Sequence, residues 1–92
     1  MHRLRFTELA VEALNQLNAP GRPRQSRRNV DEVLDDLEER SAPLGTDAEY
    51  WGQGVDGREI FVSEAEAGPP SLCVYWRAGV RRQTIEILDI GP

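Results

Sequence analysis

The chain of 92 residues has one cysteine, one histidine, no lysine and no long apolar run. A lone cysteine, Cys73, excludes an internal disulfide and suits a reducing cytoplasm. Flanked by Leu72 and Val74, it reads as a small buried hydrophobe rather than a nucleophile. His2 and Cys73 alone cannot assemble a zinc site, so no metal is expected, and no cofactor either. No apolar stretch approaches the roughly 20 residues that a membrane-spanning helix needs. The segment from Met1 to Phe6 lacks the apolar core of a secretory signal, so the expected location is the cytoplasm. Phosphate-cradling glycine motifs are missing, and Gly52-Gln53-Gly54 is too short to replace them. A Ser/His/Asp arrangement would hang on His2 near a chain terminus. These absences give no support for a conventional metabolic enzyme. The lack of lysine makes all eleven basic residues arginine, which GC-rich codon usage explains better than function does.

Apolar residues make up 39% and charged residues 29%, which predicts one soluble globular domain over residues 1–92. The net charge of −5 is unevenly spread. Residues 1–29 carry six arginines against Glu8 and Glu12, a net of +4, whereas residues 30–50 carry Arg40 against eight acids, a net of −7. A protein that grips nucleic acid along its length presents a broad basic face. Here any such contact must be local.

Arg3-Leu4-Arg5-Phe6 alternates and predicts a short strand with Leu4 and Phe6 inward. Thr7 is a suitable N-cap, and Leu9, Ala10, Ala13, Leu14 and Leu17 form an apolar helical stripe ended by Pro20-Gly21. Arg22, Arg24, Arg27 and Arg28 then lie in a basic connector, either a solvated loop or a phosphate-facing patch. Asn29 with Glu32 suggests a capping box opening a second helix, whose stripe is Val30, Val33, Leu34 and Leu37. Its other face bears Asp31, Asp35, Asp36 and Glu39, a solvated surface or a docking face for a basic partner. Pro43 to Thr46 reads as a turn, and Tyr50-Trp51 opens a strand. Asp56-Gly57 predicts a type I′ hairpin. In the next strand Ile60 and Val62 share one face, opposite Phe61 and Ser63. After a loop at Gly68-Pro69-Pro70, Leu72 to Trp76 predicts a central strand buried on both faces. Ala78-Gly79 turns the chain, and Thr84 to Ile90 forms the last strand. The predicted order is β-α-α-β-β-β-β, an α+β fold with a helical hairpin on a mainly antiparallel sheet.

Three late runs, Gly57 to Val62, Leu72 to Trp76 and Thr84 to Ile90, follow a short strand and a helix pair. In this order they resemble the RelE/ParE toxins of bacterial toxin–antitoxin pairs over nearly the whole chain. The resemblance implies a cognate antitoxin as partner. It also implies one of two targets, mRNA cleaved on the ribosome or DNA gyrase. Cleavage in that family uses basic residues to hold the scissile phosphate. Arg58 matches the family's arginine opening the strand after the first hairpin. The second family arginine falls at Leu72, and the basic tail that follows the last strand in many members has no counterpart before Gly91-Pro92. Arg77 and Arg81 stand in as catalytic candidates, with Arg82 as a further phosphate contact. The alternative is a non-catalytic interaction module that binds a basic partner through the acidic helix.

Overall fold

The computed structural model describes residues 2–39, 48–66 and 71–92. The turn expected at 43–46 and the loop at 68–70 fall outside those residues. The chain runs β1 (Arg3–Phe6), α1 (Glu8–Leu17), α2 (Arg24–Glu39), β2 (Glu49–Gln53), β3 (Glu59–Glu66), β4 (Leu72–Ala78) and β5 (Thr84–Gly91). The expected element order and the α+β class are both present. The five strands make one sheet in the order β1-β5-β4-β3-β2. Every pairing is antiparallel except β1 with β5, which is parallel and sets Leu4 beside Ile85 and Phe6 beside Ile87.

Thr7 caps α1 as expected. Its Oγ1 accepts a hydrogen bond from the Ala10 N–H at 3.2 Å and donates to the Leu88 carbonyl at 2.6 Å. One hydroxyl thus starts the helix and fastens it to the last strand. The α1 stripe is narrower than expected: Ala10 is buried and Ala13, Leu14 and Leu17 pack on the core, but Leu9 is 62% exposed. Phe6, expected inward, sits at the sheet edge and is 38% exposed.

α2 begins at Arg24, five residues before the expected cap at Asn29. Pro23 explains the early start, because its fixed φ suits a helix's first turn and that turn needs no proline N–H. The Asn29 side chain accepts from Gln25 Nε2 at 2.8 Å, one helical turn away, instead of capping. Arg24, Arg27 and Arg28 therefore stand on a helix and not in a connector. The expected stripe of α2 holds: Val30, Leu34 and Leu37 are buried and Val33 packs beside them.

Both helices cover one face of the sheet. There the α2 stripe and Ala10 of α1 form one core with Val74 and Trp76 of β4 and Ile85, Ile87 and Ile90 of β5. Trp76 is fully buried, stacks on Phe61 at 5.0 Å between ring centroids, and donates its indole N–H to Ser63 Oγ at 2.9 Å. β4 is central, yet only its helix-facing side is buried; Cys73, Tyr75 and Arg77 point to the open face and are half-buried. The covering layer is one-sided, and this corrects the expectation of burial on both faces. A bulge on β5 makes Leu88 the extra residue between the pairs Tyr75–Asp89 and Trp76–Ile87. It shifts the alternation so that Ile90 joins Ile85 and Ile87 inside while Asp89 stays out.

The burial contrast on the helices is open to test. Leu37→Ala removes a side chain that is 1% exposed and should cost about 2–5 kcal/mol. Leu9→Ala should change stability by no more than about 0.5 kcal/mol. Urea unfolding midpoints give both values, and equal losses would refute the placement of the α1 stripe.

Candidate functional site

The open face of the sheet carries a closed ring of charge. Its starting point is the β2–β3 hairpin. Gly54 O accepts from Gly57 N at 3.0 Å, and Gly54 N donates to Arg58 O at 2.9 Å. Gly57 has φ +82°, whereas Asp56 does not take positive φ. The loop is thus a type I turn closed by a left-handed glycine bulge, not the type I′ turn expected from the Asp-Gly pair. This geometry folds Asp56 back over the strand. Its Oδ1 accepts from the Arg58 backbone N–H at 3.1 Å. Its Oδ2 accepts from Arg58 Nε at 2.9 Å and from Arg77 Nη1 at 3.2 Å.

Glu86 closes the ring from the other side. It lies opposite Arg77 in the β4–β5 pair and opposite Arg5 in the β1–β5 pair. Its carboxylate accepts from Arg58 Nη2 at 3.1 Å and from Arg77 Nη2 at 3.4 Å. Arg58 Nη1 also donates to the Ala78 carbonyl at 3.2 Å. Two guanidinium groups and two carboxylates therefore cancel. Arg77 Nε is buried without a hydrogen-bond partner. The hydrogen bond from the Arg58 side chain, and then that from its backbone N–H, hold the Asp56 carboxyl below its ordinary range. Asp56 in turn, followed by Glu86, raises Arg58.

Beside the ring is a groove of about 460 Å³ whose lining includes Arg5, Arg58, Arg81, Thr84 and Glu86. The structure thus brings Arg58 and Arg77 into direct contact through shared carboxylates, and sets Arg81 on the same groove from the β4–β5 turn. Gly79 makes that turn possible: a Cβ there would lie 2.9 Å from Thr84 Cγ2. Arg82 faces an adjoining groove of about 760 Å³, lined also by His2, Arg3, Asp31, Asp35 and Glu38, and Arg81 borders both grooves.

The basic residues of the α1–α2 corner are not part of this site. Arg22, Arg24, Arg27 and Arg28 line a third cavity of about 520 Å³ in the helix layer, on the far side of the sheet. Arg27 is engaged there by Asp31 at 2.9 Å and by the Leu14 carbonyl at 3.4 Å. On the acidic side of α2, Asp35 and Glu39 are exposed, while Asp31 and Asp36 are half-buried. Asp56 and Glu86 are the members of the ring that sequence reasoning missed. From sequence, the Asp-Gly pair speaks for a turn alone. Glu86 could be placed opposite Arg77 only by knowing the length of the β4–β5 turn.

Cys73 is half-buried on the open face and not in the core, opposite Glu64 in the β3–β4 pair. Burial first, then the carboxylates of Glu64 and Glu49, push its thiol up. Tyr75 stands on the same face. Its hydroxyl donates to the Pro92 carbonyl at 3.0 Å, and burial, Cys73 and Asp89 push its ionisation up. Both groups are held in their neutral forms. Among the described residues no group of His, Cys, Asp and Glu side chains is placed to hold a metal ion.

The sequence matches no protein-family model. It matches no curated protein. Among solved structures, the chain is similar to archaeal RelE in a RelE–RelB complex from Pyrococcus horikoshii OT3. The TM-score is 0.68 at 21% sequence identity, with 99% of this chain and 93% of that chain covered. The fold is therefore RelE-like. At that identity the likeness concerns the frame and not the side chains of the site.

Two outcomes follow from the electrostatics. Asp56 in the fold gives up its proton at a lower pH than in the unfolded chain, where its value is near 3.8. Its ion pairs therefore contribute fully above that value and are lost as the pH falls through the lower folded value. The stability gap between wild type and Asp56→Asn should stay flat from about pH 5 to pH 8 and shrink in more acidic solution. A gap that widens on acidification would contradict the ring. Cys73 should react with iodoacetamide more slowly at mildly alkaline pH than a free thiol does, because less of it is thiolate. Faster alkylation would show that its surroundings had been misread.

Proposed function

We propose that this chain is the toxin-like component of a toxin–antitoxin pair, and that it works by binding its target rather than by cutting RNA. The RelE-like fold, solved in that relative together with RelB, supports an antitoxin protein as partner. The observation that carries the second half is the neutral ring. Arg58 and Arg77 are occupied by Asp56 and Glu86, so a scissile phosphate would have to displace a carboxylate before it met either guanidinium. Proton transfer is poorly served as well. Asp56 is held charged, which makes it a weak base. The Tyr75 hydroxyl is held neutral and already donates. His2 lies in the other groove, between β1 and α2.

In this reading the location is the cytoplasm and the target is a macromolecule such as DNA gyrase, blocked by occupation of a surface. The second reading is ribosome-dependent mRNA cleavage by Arg58, Arg77 and Arg81. It is favoured by their shared sheet face and groove. A third, a docking module for a basic partner, is favoured by the exposed acids Glu32, Asp35, Glu38 and Glu39 along α2.

Induced expression in a bacterial host separates them. Growth arrest with intact total RNA, relieved by co-expression of a cognate antitoxin, is the expected result. Arrest with transcript cleavage that Arg58→Ala abolishes would replace binding by ribonuclease action. Normal growth with soluble, folded protein would remove the toxin reading and leave the docking module.

A further inference from the structure

We propose that Arg58 and Arg77 form a binding site for phosphate oxygens that the chain keeps filled with its own carboxylates, and that Asp56 is its removable stopper. This deepens the second reading above, in which Arg58 and Arg77 meet phosphate, and not the preferred one. The Asp56 carboxylate already shows what the pair is shaped to hold. One oxygen is gripped at once by Arg58 Nε at 2.9 Å and by Arg77 Nη1 at 3.2 Å. Charge-assisted forks of this kind take carboxylate and phosphate oxygens alike.

The two carboxylates of the ring differ in how they are held. Glu86 belongs to β5, with strands hydrogen-bonded on both sides, and only 24% of its side chain is exposed. Asp56 stands on a hairpin tip between Gly54 and Gly57, and 42% of its side chain is exposed. Moving Glu86 would disturb the sheet; moving Asp56 requires only that the hairpin tip rotate. Without the Asp56 charge, Arg5, Arg58, Arg77 and Arg81 face Glu86 alone, a net of +3 around the groove. Neither Arg5 nor Arg81 has an ion-pair partner among the described residues. The local charge is thus +2 with Asp56 seated and +3 without it, and the position between Arg58 Nε and Arg77 Nη1 that its carboxylate fills opens to another anion.

Asp56→Asn tests this cleanly. Asparagine keeps the Oδ1 that accepts from the Arg58 backbone N–H, so the turn retains its hydrogen bond while the charge goes. Two probes are titrated by calorimetry at low salt: inorganic phosphate, and a short single-stranded RNA without terminal phosphates. Asp56→Asn should bind about tenfold tighter than wild type, the gain of one freed charge-assisted contact. Adding Arg58→Ala to it should remove the gain. A gain for both probes supports a general phosphate site, and a gain for RNA alone supports one that takes the diester backbone. Equal affinity of wild type and a folded Asp56→Asn would overturn the proposal, as would a gain that survives Arg58→Ala. If Asp56→Asn loses the hairpin, Asp56→Ser keeps an oxygen acceptor and supplies the same comparison. The result is independent of the growth assay, so a failed stopper leaves the antitoxin reading standing and a failed toxin reading leaves the anion site standing.

Discussion

Among the described residues, everything depends on the helices covering one face of the sheet. At β4 the chain sorts its residues by parity: Val74 and Trp76 go under the helices, while Cys73, Tyr75 and Arg77 go to the open face. The buried side supplies cohesion. Trp76 anchors it by combining full burial with a satisfied indole N–H. The open side is thereby released from packing duty and can hold charged residues in fixed positions. A rigid strand is a better mount for an arginine than a loop, because its backbone is pinned by neighbours on both sides.

The ring of Arg58, Asp56, Arg77 and Glu86 illustrates how such positions can be used against themselves. Half-exposed ion pairs add little to stability as a rule. Their weight here lies in specificity. They set what the face presents to an approaching chain, and at neutral pH they present almost no net charge. This also settles the apparent conflict between an acidic protein and arginines grouped on one surface. The grouping is real, but two of its members are spoken for.

Much of the frame was legible from residue spacing. The Val30, Val33, Leu34 and Leu37 stripe fixed the buried side of α2, and Thr7 marked the start of α1. The strand order along the chain followed from short β-branched runs separated by glycine and proline. What escaped were features that depend on one-residue offsets. Simple alternation through Ile85 and Ile87 would have sent Asp89 inward, and only the bulge at Leu88 keeps it out. The early start of α2 was hidden because Arg24 to Arg28 reads as polar at every position, leaving no apolar period to follow. The site was half legible. Arg58 follows from the family resemblance and Arg77 from its clustering with Arg81 and Arg82 near the next turn, but their carboxylate partners come from a hairpin tip and from a strand paired across an unpredictable turn. Contacts between residues 28 or 9 positions apart are set by register, and register is a property of the assembled sheet.

The parallel pairing of β1 with β5 has a consequence for the order of assembly. Among the described strands the first pairs with the last alone, and the Thr7 hydroxyl reaches a carbonyl 81 residues further on. Closing a loop of that length costs about 4 kcal/mol of chain entropy. That cost is recovered only when Ile85, Ile87 and Ile90 arrive to fill the core. During synthesis the early strand must therefore wait for its sheet neighbour until β5 leaves the ribosome. The open face, whose ring needs Glu86 to close, is also finished only then.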